Sequence, residues 1–388
     1  MQNVIQVDKD YVASTYARFP LQIAKGKGSI AVDECGKKYI DLTTGIAVNT
    51  FGFANAKWQR AVIKQIKRVQ HTSNLYFNEP CALLAKELCK RTGYKKVFFS
   101  NSGAEANECA IKLARKYGET QKGKDCFTII TLKNSFHGRT ITTLSATGQP
   151  VFHEHFTPMT EGFVYGEANN IEDIRFLAKT HNCCAIMFEL VQGEGGVNPL
   201  DKAFVDGLVE LAKQENLLLI ADEVQTGNGR TGSLYAYEQY GFTPDIVTTA
   251  KGLGGGLPIG ATLMGDKVEK LFTPGLNGST FGGNPVACAG ALSILSQINE
   301  KTLALVKQKS EYIRKELTGA KGIKSVSGMG LMLGIETEKD AGDIAARCLA
   351  KGVMVLKAKQ KVRLLPALNI PQKQLEKAIK ILKEVCER

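Results

Sequence analysis

The 388 residues, 44% hydrophobic and 23% charged, are enough for two or three domains with substantial cores, and they exclude disorder, collagen and a small disulfide scaffold. The net charge of +12 comes largely from lysines interleaved with acids, as in 377–387. That pattern fits a solvated positive surface that attracts small anions and speaks against nucleic-acid binding.

Residues 1–10 carry charges and no apolar stretch, so no secretory leader is expected. No apolar run approaches the roughly eighteen residues of a membrane span, so no membrane partner is expected. The ten cysteines are scattered without a C-x-x-C pair, and the five histidines do not cluster with them. Free thiols, no metal and a cytoplasmic setting follow.

From about residue 96 short apolar runs alternate with helical stretches. Residues 96–99 read as a strand leading into a helix over 105–117, and 126–132 and 183–190 read as further strands. A helix over 203–215 precedes strands at 217–221 and 245–250. This alternation predicts an α/β body with a mostly parallel central sheet. Beyond Asn284 one long helical region runs to about Leu317, followed by a strand pair within 323–335 and a helix over 341–351. Short runs at 353–356 and 362–365 precede a last helix, 372–386, whose Leu375, Ile379, Leu382 and Cys386 share one face. The last hundred residues read as a smaller α+β domain.

Two glycine patterns are misleading. Gly227-Asn228-Gly229-Arg230-Thr231-Gly232 matches G-x-G-x-x-G, but Pro244 interrupts the helix a dinucleotide fold needs. Asp222-Glu223 just before it would also repel a pyrophosphate. Residues 118–125 approach a Walker A loop, yet Asp125 replaces the Ser or Thr that holds magnesium.

Four segments carry chemistry. In Asn101-Ser102-Gly103-Ala104-Glu105, Ser102 and Glu105 form a capping box. The segment is either simply a well-capped helix start or a phosphate seat, with Gly103 and Ala104 letting an anion approach the backbone. The run 217–221 ends in Asp222, at the sheet edge where α/β folds bind ligands; Asp222 is a loop acid or the partner of a protonated pyridine nitrogen. Lys251 stands at a strand end before Gly252-Leu253-Gly254-Gly255-Gly256, where a partly desolvated amine can form a Schiff base. In Phe136-His137-Gly138-Arg139, Phe136 is core packing or a stacking face, and Arg139 a surface ion pair or a carboxylate receiver. Together an anion seat, an acid for a ring nitrogen, an imine-forming lysine and a stacking aromatic specify pyridoxal phosphate.

With these segments in this order, the chain resembles the class III pyridoxal-phosphate aminotransferases over nearly its whole length. Tyr16-Ala17-Arg18-Phe19-Pro20, Ser73-Asn74-Leu75-Tyr76, Ser279-Thr280-Phe281-Gly282-Gly283-Asn284-Pro285 and Arg363-Leu364-Leu365-Pro366 complete the pattern. The resemblance implies a fold-type I transferase with a large cofactor-binding domain over 46–287. A small domain would be built from 1–45 and 288–388. It implies that Lys251 links covalently to the cofactor, Asp222 pairs with the pyridinium and Gln225 lies near the ring hydroxyl. Ser102, Gly103 and Ala104 would hold the phosphate with Thr280 of a neighbouring subunit in a homodimer. Arg139 would bind the donor's α-carboxylate, and Ser279 would lie near its acylated end. Arg363 would receive the second carboxylate of glutamate or 2-oxoglutarate, with Glu194 as the switch that pairs with it otherwise. The implied donor is N-acetylornithine, in arginine biosynthesis; ornithine, 4-aminobutyrate and succinyl-diaminopimelate are the rival donors, and an aminomutase is a rival reaction. Two positions depart from the family pattern: Leu190 stands where many relatives have proline, and Asn277 stands in place of a histidine.

Overall fold

The computed structural model describes residues 3–388. Met1 and Gln2, part of the segment read as free of a leader, lie outside the described residues. Among the described residues no helix is long and apolar enough to cross a membrane.

Side-chain caps set many of the helix starts. Asn55, Asn78, Ser102, Thr140, Asn170, Asn299 and Asp340 each accept a backbone N–H from the first turn of the helix that follows. These caps also divide the region read as one helix beyond Asn284. It forms two, Pro285–Leu295 and Glu300–Leu317, because Asn299 accepts the Thr302 N–H and starts a new helix.

The N-terminal strands are β1 (Ile23–Lys27), β2 (Ile30–Asp33) and β3 (Lys38–Asp41). The middle of the chain contributes β4 (Lys96–Ser100), β5 (Thr128–Leu132), β6 (Phe163–Gly166) and β7 (Cys183–Phe188). After a small hairpin of β8 (Val191–Gln192) and β9 (Asn198–Pro199) come β10 (Leu218–Asp222), β11 (Ile246–Thr249) and β12 (Gly260–Met264). The C-terminal strands are β13 (Ile323–Met329), β14 (Met332–Thr337), β15 (Val353–Met354), β16 (Leu356–Ala358) and β17 (Lys361–Leu364).

A seven-stranded sheet in the order β4-β12-β11-β10-β7-β5-β6 forms the centre. It is mostly parallel, as expected; β12 alone runs antiparallel to both its neighbours. Every residue of β7 and β10 is buried, since helices cover both faces. Leu218 and Ile220 face Cys109, Ala110, Leu113 and Ala114 of the helix Gly103–Lys122. Leu219 and Ala221 belong to the opposite core with Leu208 and Leu211 of the helix Lys202–Gln214. The carboxyl ends of β4, β5, β7, β10 and β11 therefore share one edge, and the chain leaves that edge through Ser102, Phe136, Glu189, Asp222 and Lys251.

Two four-stranded sheets flank this body. One has the order β1-β2-β3-β15, with β15 parallel to β3, so N- and C-terminal segments share a sheet. The other is an antiparallel sheet, β13-β14-β17-β16, and the last helix, Gln372–Glu387, packs on the helices Glu300–Leu317 and Ala341–Ala350, with Leu375, Ile379 and Leu382 buried in the common core.

Candidate active site

The helix Gly103–Lys122 starts at the sheet edge. Ser102 Oγ accepts the Glu105 N–H at 3.1 Å, while Glu105 Oε2 reaches one residue further back than the usual box and accepts the Asn101 N–H at 2.7 Å. As the first residues of a helix, Gly103 and Ala104 have N–H groups with no carbonyl in the helix to bond. A Cβ on Gly103 would stand 2.7 Å from the Val224 side chain, so glycine is required where that valine leans over the helix start.

Asp222 ends β10 almost wholly buried. Its Oδ2 accepts from Asn107 Nδ2 and from His137 Nδ1, both at 2.8 Å, and its Oδ1 accepts the Val224 N–H at 3.0 Å. Asn107 also donates to the His137 carbonyl at 2.7 Å, which joins the helix, the Phe136 segment and β10 in one polar cluster. The sequence reading assigned no role to Asn107 or His137. The available signal was an asparagine on the buried face of an alanine-rich helix, a position that demands a hydrogen-bond partner. Asn107 Oδ1 and His137 Nε2 remain buried without partners.

Lys251 follows β11 with φ 41°, a left-handed conformation that costs a non-glycine residue strain. The backbone around it is pinned: Asn228 Nδ2 donates to the Ala250 carbonyl at 3.2 Å, and Thr50 Oγ1 to the Gly252 carbonyl at 2.7 Å. The glycine-rich segment 227–232 is thus a brace beside Lys251, and Arg230 extends it by donating to the Leu331 carbonyl at 3.1 Å and to the Pro366 carbonyl. Among the described residues neither hydrogen bond nor ion pair holds Lys251 Nζ. Burial lowers the pKa of its ammonium, against the opposing pull of Glu194 and Asp222.

Phe136 lines the same cleft. Arg139 is exposed and lies over the rings of Phe152, at 4.3 Å, and Phe136, at 5.4 Å, with no carboxylate partner among the described residues. Behind Gln225, Arg363 is buried. Its Nη1 donates to Glu194 Oε1 at 2.5 Å and to Gln225 Oε1 at 3.1 Å. Burial alone would raise the Glu194 pKa, but the Arg363 charge and hydrogen bond outweigh it and hold the carboxyl below its ordinary value. Gly193 has no room for a side chain, since its Cβ would meet Gln225 Nε2 at 2.5 Å. Glu189, unassigned by the sequence reading, lies beside Asp222; burial pushes its pKa up to about 7.

These residues enclose a cleft of about 460 Å³ that gathers Ser102, Gly103, Ala104, Phe136, Arg139, Asp222, Gln225 and Lys251. Glu194 and Arg363 adjoin it through Gln225. Ser279 and Thr280 do not line it. The Ser279 hydroxyl accepts from Asn101 Nδ2 and the Gly282 N–H, both at 3.0 Å, and Thr280 is exposed. Asn277 is drawn to Lys112, which donates to its Oδ1 at 2.7 Å. Leu190 is buried, and its carbonyl accepts the Leu200 N–H at 2.9 Å.

Pyridoxal phosphate fits this donor set. Free N–H groups at a helix start suit its phosphate. A buried carboxylate fixed by three donors suits its ring nitrogen, an unengaged amine its aldehyde, and Phe136 and Val224 supply apolar walls for the ring.

The family profile "Aminotransferase class-III" matches residues 11–386. The acetylornithine aminotransferase of Haemophilus ducreyi is 49% identical to this chain, covering 98% of it and 97% of the relative. The succinylornithine transaminase of Salmonella paratyphi A is 44% identical, covering 98% and 95%. Among solved structures, an ornithine aminotransferase from Toxoplasma gondii with partial occupancy of PLP at its active site has a TM-score of 0.93 and 31% identity, covering 99% of this chain and 94% of that one.

Proposed function

The chain belongs to the class-III aminotransferases, pyridoxal-phosphate-dependent transaminases, and from that premise we propose that it moves the distal amino group of N-acetylornithine to 2-oxoglutarate. The products are N-acetylglutamate 5-semialdehyde and glutamate, a step of arginine biosynthesis in the cytoplasm. One observation carries this reading: the cleft holds an amine, Lys251, and a guanidinium, Arg139, that have no acid partner among the described residues, and it adjoins a second guanidinium, Arg363, that Glu194 covers.

When bound, the cofactor supplies an electrophilic carbon for the amine and a cationic ring that accepts an electron pair. The protein's residues do the rest. Asp222, fixed by Asn107, His137 and the Val224 N–H, presents negative charge to the ring nitrogen. Lys251, with its ammonium destabilised by burial, takes a proton from the substrate carbon and returns it elsewhere. Arg139 holds the donor's α-carboxylate, so the distal amine is the one that reaches Lys251; Ser279, which does not line the cleft of its own chain, would meet the acyl end only from a neighbouring copy. Arg363 receives the second carboxylate of glutamate once Glu194 yields.

The same reading includes a homodimer in which Thr280 of one copy completes the phosphate seat of the other. Leu75, Tyr76, Phe77 and Phe281 support it, since all are exposed and a monomer in water gains nothing from them. It also includes the division into 46–287 and the smaller body of 1–45 with 288–388, supported by the pairing of β3 with β15.

The resemblance to a succinylornithine transaminase favours a second reading, in which the acyl group is larger. Steady-state comparison of N-acetylornithine, N-succinylornithine, succinyl-diaminopimelate, ornithine and 4-aminobutyrate, each with 2-oxoglutarate, decides. The highest kcat/KM is expected for N-acetylornithine; a preference for any of the others would overturn the donor assignment.

A further inference from the structure

Glu189 lines the cleft immediately beyond β7 and has no task in the reaction above. It is almost wholly buried, and its two oxygens are divided between two segments of chain. Oε1 accepts the Phe136 N–H at 2.8 Å, and Oε2 accepts the Gly193 N–H at 3.1 Å. Each bond ends next to a group that governs a carboxylate. Arg139 is three residues beyond Phe136, and Glu194 directly follows Gly193.

The two segments touch elsewhere as well. Gln192 Nε2 donates to the Lys133 carbonyl at 2.8 Å, and a Cβ on Gly195 would stand 2.6 Å from the Asn134 carbonyl oxygen. Those contacts keep the segments adjacent. Glu189 alone among the described residues accepts a backbone N–H from both, so it transmits a displacement of one to the other. A buried carboxylate with two charge-assisted bonds is costly to leave half-satisfied. A shift of Gly193 would therefore strain the bond from Glu189 to the Phe136 N–H unless the Phe136 segment moved with it.

We propose that Glu189 is a positioning residue that couples the Glu194 segment to the Phe136–Arg139 segment, so that uncovering Arg363 readjusts the grip of Arg139. This rests on the reading of Glu194 as the group that yields to a second carboxylate. It assigns Glu189 no proton transfer and no contact with substrate.

Glu189→Gln keeps one acceptor and turns an amide N–H₂ toward the other backbone N–H. Glu189→Asp keeps the charge but is one methylene too short to reach both. Hydrogen exchange followed by mass spectrometry, with and without pyridoxal phosphate, reads the clamp directly. In either variant, peptides covering 133–139 and 192–196 should both exchange about 10-fold faster or more, while β4 stays unchanged. Kinetically, Glu194→Ala and Glu189→Gln should be non-additive in KM for N-acetylornithine, the second change adding less than about 2-fold once the first is present. Faster exchange in only one segment, in neither, or additive effects on KM would overturn the coupling. Should no donor be turned over, the donor assignment fails separately, and exchange still decides whether Glu189 clamps both segments.

Discussion

Arg139 and Arg363 are two guanidiniums beside one cleft, kept in opposite states. Arg139 is exposed over two phenylalanine rings without an acid partner among the described residues, and solvent screens it well enough to wait alone. Arg363 is 3% exposed and could not be left bare, because an unpaired buried charge is strongly destabilising. The chain covers it with Glu194, a carboxylate still 30% exposed and flanked by Gly193, Gly195 and Gly196. On the proposed reading the difference follows from use: a receiver for every substrate can stand open, whereas one for only half of them needs a removable counter-ion.

Substitutions at the two arginines should separate these roles. Arg363→Ala strands Glu194 and removes the second carboxylate's receiver, so the glutamate half-reaction should fall about 10²–10³-fold in single-turnover experiments, the N-acetylornithine half-reaction far less. Equal losses in both would erase the distinction. Arg139→Lys keeps the charge but not the planar fork, and kcat/KM in both half-reactions should drop by roughly 10–100-fold. A loss confined to one side would mean that Arg139 is not the shared receiver. Glu194→Ala leaves Arg363 uncovered when the amine donor binds. The N-acetylornithine half-reaction should slow by about 10-fold and the glutamate half-reaction much less; matched effects would remove the switch.

A smaller effect lies outside the cleft and tests whether burial alone governs an acid next to Asp222. Glu223 points into the core, where it accepts from Thr226 Oγ1 at 2.5 Å and the Tyr237 N–H at 2.9 Å, and burial pushes its pKa up to about 7. Its pKa when folded lies above the unfolded value, so its contribution to stability is present below the unfolded pKa and is lost as pH rises through about 7. Glu223→Gln has no charge to bury, and its melting temperature relative to the parent should rise by a few degrees between pH 5 and pH 8. A constant difference across that range would contradict the assignment.

Where the sequence was legible, the physics was local. The apolar runs at 183–190 and 217–221 form β7 and β10, since a strand covered on both faces has no alternation to lose. Lys251 and Asp222 stand out in the sequence because each lies where such a strand ends, and both line the cleft. The N-terminal sheet was missed because strands such as Ile23–Lys27, with lysine and glycine among its residues, present no apolar face. The reversed direction of β12 is set by its neighbours, not by Gly260–Met264 itself. Asn107 and Glu189 act through partners 115 and 53 residues away, which no spacing along the chain reveals. The segment 227–232 kept its motif but not the motif's usual task, because its asparagine and arginine bond backbone carbonyls at Ala250, Leu331 and Pro366.

Every role given to these side chains assumes that the nitrogen of Lys251 holds the cofactor. Borohydride reduction of the purified protein, followed by peptide mapping, measures this directly. A pyridoxyl group on Lys251 and on no other lysine is the predicted result; label on a different lysine, or undiminished turnover by Lys251→Arg, would contradict the account.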